Sequence, residues 1–382
     1  MSARRVLITG GAGFIGTHLT RALLAQGSEV TVLDNLLPQV HGADRSDEDV
    51  VAALGGAAFV RGDVRDAEAW TRAYDGHDVI VHLAAETGTG QSMYEAARYT
   101  DVNVVGTARL LDLLTNTSHQ VSRLVVASSR SIYGEGRYLD ADGGVHYPGA
   151  RRVEDLNAGR FEPLAADGTP LQATATDEDS RIHPSSVYGI TKSTQEQLVL
   201  SIGEALGIPA VGLRYQNVFG PGQSLSNPYT GILSIFTTLL RSGAAINVFE
   251  DGRESRDFVF VSDVVEATRL AIGSDLPGSR VYNVGTGRAV DVLEVVRTLA
   301  ATWGVEADYR VTGEYRLGDI RHNWADLTRI RADLGFTPQV DFAAGVAAFA
   351  EWARAEEAGT VGDYERSLGE MRSRGLMPGG GA

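Results

Sequence analysis

The sequence predicts an α/β protein, with a doubly wound parallel sheet and a smaller, mixed α/β lobe toward the C-terminus. Three observations carry that reading. Short apolar runs alternate with longer helical patterns through the first half of the chain, the order that βαβ units require because parallel strands need a crossover helix. Glycines, 45 of 382 residues, gather at the ends of those runs rather than in a low-complexity tract, which suits tight strand-to-helix turns. Beyond about residue 215 the pattern turns irregular, as a lobe laid over the sheet would.

The elements follow in order. Residues 6–8 are a first strand, interrupted by Thr9-Gly10-Gly11 and followed by a helical pattern over 17–25. Strands at 30–33, 59–60, 79–82 and 124–127 come next, with a helical stretch over 91–115 between the last two. Residues 135–183, rich in Gly, Asp, Ala and Pro and without sustained periodicity, are too long for a plain connection and read as an insertion. A helix over 186–206 leads into a buried strand at 210–213. A helix near 232–240, short strands at 246–249 and 258–261, and helices around 292–302 and 342–355 complete the pattern. Residues 1–214 therefore form the sheet domain, carrying the insertion and rejoined at about 255–285. Residues 215–254 and 286–365 form the second lobe. Residues 366–382, ending Met377-Pro378-Gly379-Gly380-Gly381-Ala382, are expected to be a flexible tail, since that end has nothing to bury.

Composition narrows the function. With 34 basic against 49 acidic residues the net charge is −15, so neither nucleic acid nor an anionic membrane attracts the chain without local help. An anionic ligand must be held by particular arginines. The absence of cysteine excludes disulfides, thiolate metal sites, iron–sulfur clusters and a thiol nucleophile. Arg4-Arg5 run into an apolar stretch too short for a signal segment or for the ~20 residues of a membrane span, so a cytoplasmic protein is expected.

Gly10-x-x-Gly13-x-x-Gly16 follows the first strand and opens a helix, the context of a Rossmann-type dinucleotide fingerprint. The glycines permit a tight turn and close approach of a pyrophosphate, with Phe14 and Ile15 between them at the helix start, where unsatisfied N–H groups favour anions. Asp34 ends the second strand eighteen residues after Gly16; a carboxylate there accepts from an adenosine ribose and repels a 2′-phosphate, so NAD is preferred to NADP. Asn35 adjoins it. Asp63-Val64 could set a carboxylate near the adenine, or Asp63 could equally cap a helix. Leu83, Ala84 and Ala85 are small enough for backbone to pass a ligand, although a plain βα turn would look the same.

Tyr188 and Lys192 are four residues apart on one helical face, and Ser128-Ser129 ends the fifth strand at the same sheet edge. A phenol of pKa ~10 that must accept a proton near pH 7 needs ~4 kcal/mol of tuning, which an ammonium and a positive nicotinamide could supply. Ser129 would bridge to the reacting oxygen.

Together these residues resemble the extended short-chain dehydrogenase/reductase family of nucleotide-sugar enzymes, over roughly residues 4–350. Matching segments continue in order: Ser128-Ser129 through Ile132-Tyr133-Gly134, Leu213-Arg214-Tyr215-Gln216-Asn217-Val218-Phe219-Gly220-Pro221-Gly222, Arg256-Asp257-Phe258-Val259-Phe260-Val261, and Asn283-Val284-Gly285-Thr286-Gly287. The resemblance implies NAD as cofactor, Asn103 beside it, and a nucleotide-diphosphate sugar as substrate. Arg256 and Arg321 would grip the diphosphate as guanidinium forks suit, with Asn217, Thr87 and Arg130 also touching substrate; Arg214 is as readily a structural charge. A homodimer through helices near 104–114 and 186–206 is implied as well.

The residues after Ser129 discriminate within the family. Its dehydratases carry an Asp-Glu pair there and its decarboxylases a Glu two positions on; this chain has Arg130 and Ser131. Elimination lacks its acid and base, whereas 4-epimerisation needs only Ser129, Tyr188 and the nicotinamide. Residues 86–94 and 129–136, with the long insertion, most resemble the dTDP-L-rhamnose 4-epimerase branch, which favours a dTDP-sugar. Relatives there carry cysteine pairs suggestive of a zinc ribbon where this chain has Asp140, Gly143, Leu164 and Asp167, so the resemblance implies no metal. Two rivals stand beside this reading: a nucleotide-glucuronate 4-epimerase or decarboxylase, with Arg130 gripping a carboxylate, and a non-catalytic NAD-binding regulator, against which retention of Ser129, Tyr188 and Lys192 argues.

Overall fold

The computed structural model describes residues 4–42, 45–225, 227, 229, 231–357 and 359–377. Seven parallel strands form the central sheet: β1 (Arg5–Thr9), β2 (Glu29–Asp34), β3 (Ala58–Arg61), β4 (Val79–His82), β5 (Arg123–Ser129), β6 (Ala210–Tyr215) and β7 (Arg280–Val284). Their spatial order is β7-β6-β5-β4-β1-β2-β3. The chain winds outward from β1 to β3, then restarts at β4 on the other side of β1. That reversal opens a crevice at the carboxyl ends of β1 and β4, the place where open α/β sheets bind ligands.

Both faces of the sheet are covered, which is why its strands read as continuous apolar runs. Val6, Ile8, Val32, Val81 and Val125 pack toward the helices Phe14–Ala25 and Val261–Gly273 through Leu19, Leu23, Val264 and Ala271. Leu7, Leu33, Ile80, Leu124 and Val126 face the other way, onto Trp70, Leu110, Leu114 and Val199. The alternation is the two-residue period of a strand. The stretch expected as one helix over 91–115 is instead a short helix Thr89–Ser92, a helix Ala96–Thr100, a π-helical turn Asp101–Val105 and a helix Gly106–Asn116. Such a turn inside a helix often marks a functional position, and this one carries Asn103.

The second lobe has its own core, built from Phe219, Phe236, Ile246, Phe258, Leu299 and Phe349 among others. The tail expectation is corrected here. Val361–Ser373 is a helix whose Tyr364, Leu368 and Met371 enter that core together with Met377, and Leu317 N donates to Leu376 O. The apolar residues at helical spacing give this segment something to bury; residues 378–382 lie outside the described residues. The insertion folds as a small antiparallel sheet, with Tyr138–Leu139 between Val145–His146 and Gln172–Ala173. Its turn is set by Asp140, which accepts from Asp142 N, Gly144 N and the His146 ring at 2.7 Å. Among the described residues no helix is long and apolar enough to cross a membrane.

Candidate active site

A cavity of about 390 Å³ follows the carboxyl ends of the strands from Asp34 and Asn35, past Gly10 and Gly16, to Ser129, Tyr188 and Lys192. It brings together the expected cofactor residues Gly10, Gly13, Phe14, Ile15, Gly16, Asp34, Asn35, Val64, Leu83, Ala84, Ala85, Tyr188 and Lys192; Thr87 also lines it. Asp63 and Asn103 do not. The glycines are required by contact: a Cβ on Gly10 (φ +68°) would lie 2.7 Å from Ala84 N, and one on Gly16 2.5 Å from Gly10 O. Gly13 precedes the helix Phe14–Ala25 and supplies no capping side chain, leaving first-turn amides for an anion. Asp34 is fixed by Ala12 N at 3.1 Å and Leu36 N at 2.9 Å. Ser128 Oγ and both amide atoms of Gln216 are buried there without partners, polar groups that a hydroxyl- and amide-bearing ligand such as NAD can satisfy. The residues fit that cofactor.

Asp63 is committed elsewhere. It takes Arg65 N, Arg65 Nε and Nη2, and Asn35 Nδ2, which hold its carboxyl down at about 2, and the helix Ala67–Tyr74 is capped by Asp66 instead. Asp63 thus steadies Asn35, and of the two roles weighed from sequence the helix cap belongs to Asp66. Asn103 is fully buried; its amide accepts from Glu86 N at 2.7 Å and donates to Glu86 O and Thr191 Oγ1. It ties the loop after β4 to the helix that bears Tyr188.

That helix, Val187–Ala205, starts at Ser186, whose hydroxyl accepts from Gly189 N at 3.1 Å. A Cβ on Gly189 would lie 2.6 Å from Ser131 O, so the absence of a side chain lets the helix close on the end of β5. The Ser129 hydroxyl acts on the Tyr188 phenol in favour of its ionised form, and Ser129 Oγ accepts from Ser131 Oγ at 2.9 Å. Lys192 Nζ donates to Gln195, which donates to Thr107. Burial presses the Lys192 ammonium down to about 7. Burial also raises the Tyr188 phenol, opposed by the Ser129 hydroxyl and by the charge of Arg130. The sequence reading gave the opposite tuning to Lys192 and the nicotinamide together, and a positively charged nicotinamide bound in the cradle would add to it.

At the substrate end Arg130 Nε donates to Asn217 Oδ1 at 2.6 Å, while its Nη1 is buried without a partner. Arg256 reaches Asp319 at 3.0 Å and the carbonyls of Ser255, Ile320 and Arg321. Arg321 is the clear departure from expectation. Its side chain is 0% exposed and ion-paired to Glu162, Glu250 and Asp251 at 2.6–3.0 Å, so its donors are spent on carboxylates and none is left for a diphosphate. Arg214 is likewise buried against Glu196 and Tyr133. Sequence reasoning missed Arg316, which lies over the Phe249 ring at 4.7 Å with its Nε buried and unpartnered and lines a cavity of about 350 Å³ with Gly134, His183, Gly318 and Asp319. The signal was in the same stretch, Arg316-Leu317-Gly318-Asp319, where Gly318 (φ +79°) turns the chain.

Residues 6–285 match the NAD dependent epimerase/dehydratase family. The chain is 39% identical over 355 residues to the dTDP-L-rhamnose 4-epimerase of Burkholderia thailandensis, covering 92% of this chain and 95% of that protein. Among solved structures, the UDP-glucose 4-epimerase of Thermotoga maritima with UDP-glucose superposes with a TM-score of 0.73 at 29% identity, over 92% of this chain and 98% of that one. The UDP-glucose 4-epimerase of Thermus thermophilus in complex with NAD gives 0.71 at 30%, over 92% and 100%. With a glycine cradle that fits NAD and a Ser–Tyr–Lys trio at its end, the chain belongs to the NAD dependent epimerase/dehydratase family.

Proposed function

We propose that this protein is an NAD-dependent nucleotide-sugar 4-epimerase, with a dTDP-linked sugar of the dTDP-L-rhamnose kind as its substrate. The observation that carries the reading is the trio Ser129, Tyr188 and Lys192 at the end of the cofactor cavity, next to Arg130 and Ser131 where elimination would need carboxylates. Identity to the Burkholderia enzyme along almost the whole chain supports the substrate class. NAD, bound in the cradle, supplies a hydride acceptor and donor. Tyr188 takes the proton of the C4 hydroxyl through Ser129 and returns it when the ketone is reduced on its other face. Ser131 holds the Ser129 hydroxyl in line. Arg256 and Arg316 suit the diphosphate, about which the sugar turns between the two half-reactions. A homodimer fits the exposed Val105 and Ile190 on the helices expected to pair.

The test is incubation of the purified protein with dTDP- and UDP-linked hexoses, 6-deoxyhexoses and uronates, the products read by mass and NMR. A C4-deuterated substrate returned as its C4 epimer, with label and mass unchanged, is the expected result. Loss of water or carbon dioxide, or no turnover of any nucleotide sugar, overturns it.

A further inference from the structure

We propose that Gln195 is a positioning residue for Lys192: its side-chain carbonyl holds the ammonium on the helix face that lines the cofactor cavity, and a buried hydrogen-bond chain running back to β1 fixes the direction in which that amide faces. The proposal rests on the reading of Ser129, Tyr188 and Lys192 as one reacting trio.

The chain itself singles the position out. Lys192 is the sole lysine of the molecule, all remaining strongly basic residues being arginine, and it is buried in the wall of the cofactor cavity together with Tyr188. A compact ammonium on a flexible stem has three donors and no fixed geometry of its own, so its direction must come from a partner. Among the described residues no carboxylate lies within ion-pair distance of it, and Glu196, the acid nearest in sequence, is taken by Arg214 at 2.7 Å. The partner is Gln195, three residues on along the same helix, whose Oε1 accepts from Lys192 Nζ. One donor is thereby fixed, and two are left for the cavity.

What lies behind the amide dictates which way it faces. Gln195 Nε2 donates to Thr107 Oγ1 at 2.9 Å and to Ala84 O at 3.4 Å. Thr107 spends its single proton on Asn103 O at 2.6 Å, so its oxygen accepts both from Gln195 and, at 2.9 Å, from His82 Nε2. The His82 proton therefore sits on Nε2, and Nδ1 accepts from Thr9 Oγ1 at 2.7 Å, whose oxygen accepts in turn from Ala84 N at 3.2 Å. A flipped amide would set an NH2 group against an ammonium and a carbonyl against the Ala84 carbonyl. Thr9, His82, Thr107 and Gln195 are all buried, where such mismatches are expensive. Ala84 borders the cofactor cavity, so the same amide ties the lysine to the backbone on which a cofactor would lie. The titratable groups around Lys192 leave this role to Gln195: Tyr188 lies one turn back, Glu196 one turn on and paired with Arg214, Tyr99 is turned to Thr87 O at 2.7 Å, and Glu86 to Arg98 at 2.7 Å. His82 is kept neutral by burial and by the lysine charge, down to about 3.

The experiment uses the holoenzyme as purified, free of any lysine-bearing tag and labelled with ¹³Cε-lysine, which gives one resonance because the chain has one lysine. In Gln195→Leu the Lys192 midpoint, which burial brings to about 7, is expected to fall by about one unit, the charged form having lost its acceptor. At pH 7 kcat should then fall about fivefold, the change in charged fraction for a one-unit fall, with KM within about twofold. The deficit should narrow toward pH 5, where the amine is charged in both proteins. Gln195→Glu, which keeps an oxygen toward the ammonium, should bring the midpoint back to the wild-type value or above. The titration needs no substrate, so it can be read even if no nucleotide sugar is turned over, and the two readings fail separately. An unmoved midpoint in Gln195→Leu, no recovery in Gln195→Glu, or a loss of kcat equal at pH 5 and pH 8 makes Gln195 a packing residue and overturns the proposal. Should Gln195→Leu not fold, Thr107→Val, which releases the amide without touching the lysine, must lower the midpoint; no change there overturns it.

Discussion

Arg321→Met separates the two jobs that arginines do in this lobe. The wild-type guanidinium is bonded to Glu162 through Nε and Nη2, to Asp251 through Nη1 and Nη2, and to Glu250 through Nη1. Methionine fills much of the volume and removes the charge. Glu250, 3% exposed, would keep Arg151 at 2.7 Å, whereas the Glu162 and Asp251 side chains, 47% and 39% exposed, can hydrate. The loss should therefore fall at the low end of the ~3–5 kcal/mol for breaking a buried pair, about 3 kcal/mol, or roughly 10²-fold in the folded-to-unfolded ratio. Urea unfolding should show a lower midpoint at an unchanged slope, while calorimetric affinity for dTDP stays within about twofold. Arg316→Ala should do the reverse, weakening dTDP binding by about 1.5–3 kcal/mol, the range for a charge-assisted hydrogen bond, with a much smaller loss of stability. An Arg321→Met protein of wild-type stability and weakened dTDP binding would refute the assignment of Arg321 to the structural network.

Three further outcomes follow from the same geometry. Denatured protein should release NAD or NADH, and cofactor-free protein should prefer NAD to NADP in a calorimetric titration, a preference that narrows in Asp34→Ala. Tyr188→Phe should fold and keep its NAD, judged by circular dichroism and absorbance, yet lose about 10²–10⁴ of turnover. The Glu254 carboxyl, buried near Glu250 with one oxygen unpartnered, is pushed up to about 8; the folded state then holds a proton that the unfolded chain releases near 4.5, so this group costs stability as pH rises from 5 to 8. Urea midpoints should accordingly show Glu254→Gln gaining on wild type across that window, and a constant gap would contradict the assignment.

The sheet was legible because both of its faces are buried, which leaves uninterrupted apolar runs, and because its turns need glycine where Gly10 and Gly16 meet other backbone. Tyr188 and Lys192 were legible through helical spacing. The C-terminal helix was legible too, in the spacing of Tyr364, Leu368 and Met371, but the glycine-rich end beyond it drew the whole segment into a tail. The insertion's two-residue strands are too short to show a period. What the sequence could not carry is occupancy. Arg316 and Arg321 stand on either side of one aspartate, and only the fold decides that Glu162, Glu250 and Asp251 surround the second. Burial is of the same kind: local spacing put an ammonium near Tyr188, while the desolvation of both groups is set by distant segments.

That difference in occupancy is informative in a chain of this charge. With 49 acidic residues against 34 basic, counter-ions are abundant, and Arg151, Arg214 and Arg321 each find one in the interior. Among the described residues Arg130 and Arg316 form no ion pair, and each keeps a buried nitrogen with no partner. The Asp319 charge reaches both guanidinium groups without forming an ion pair with either, so each keeps a donor in reserve. A donor kept in this way suits an anion that arrives from outside, such as a diphosphate at Arg316. Arg321, one residue beyond Ile320 and fully neutralised, shows how the same segment behaves when the charge is used for folding instead.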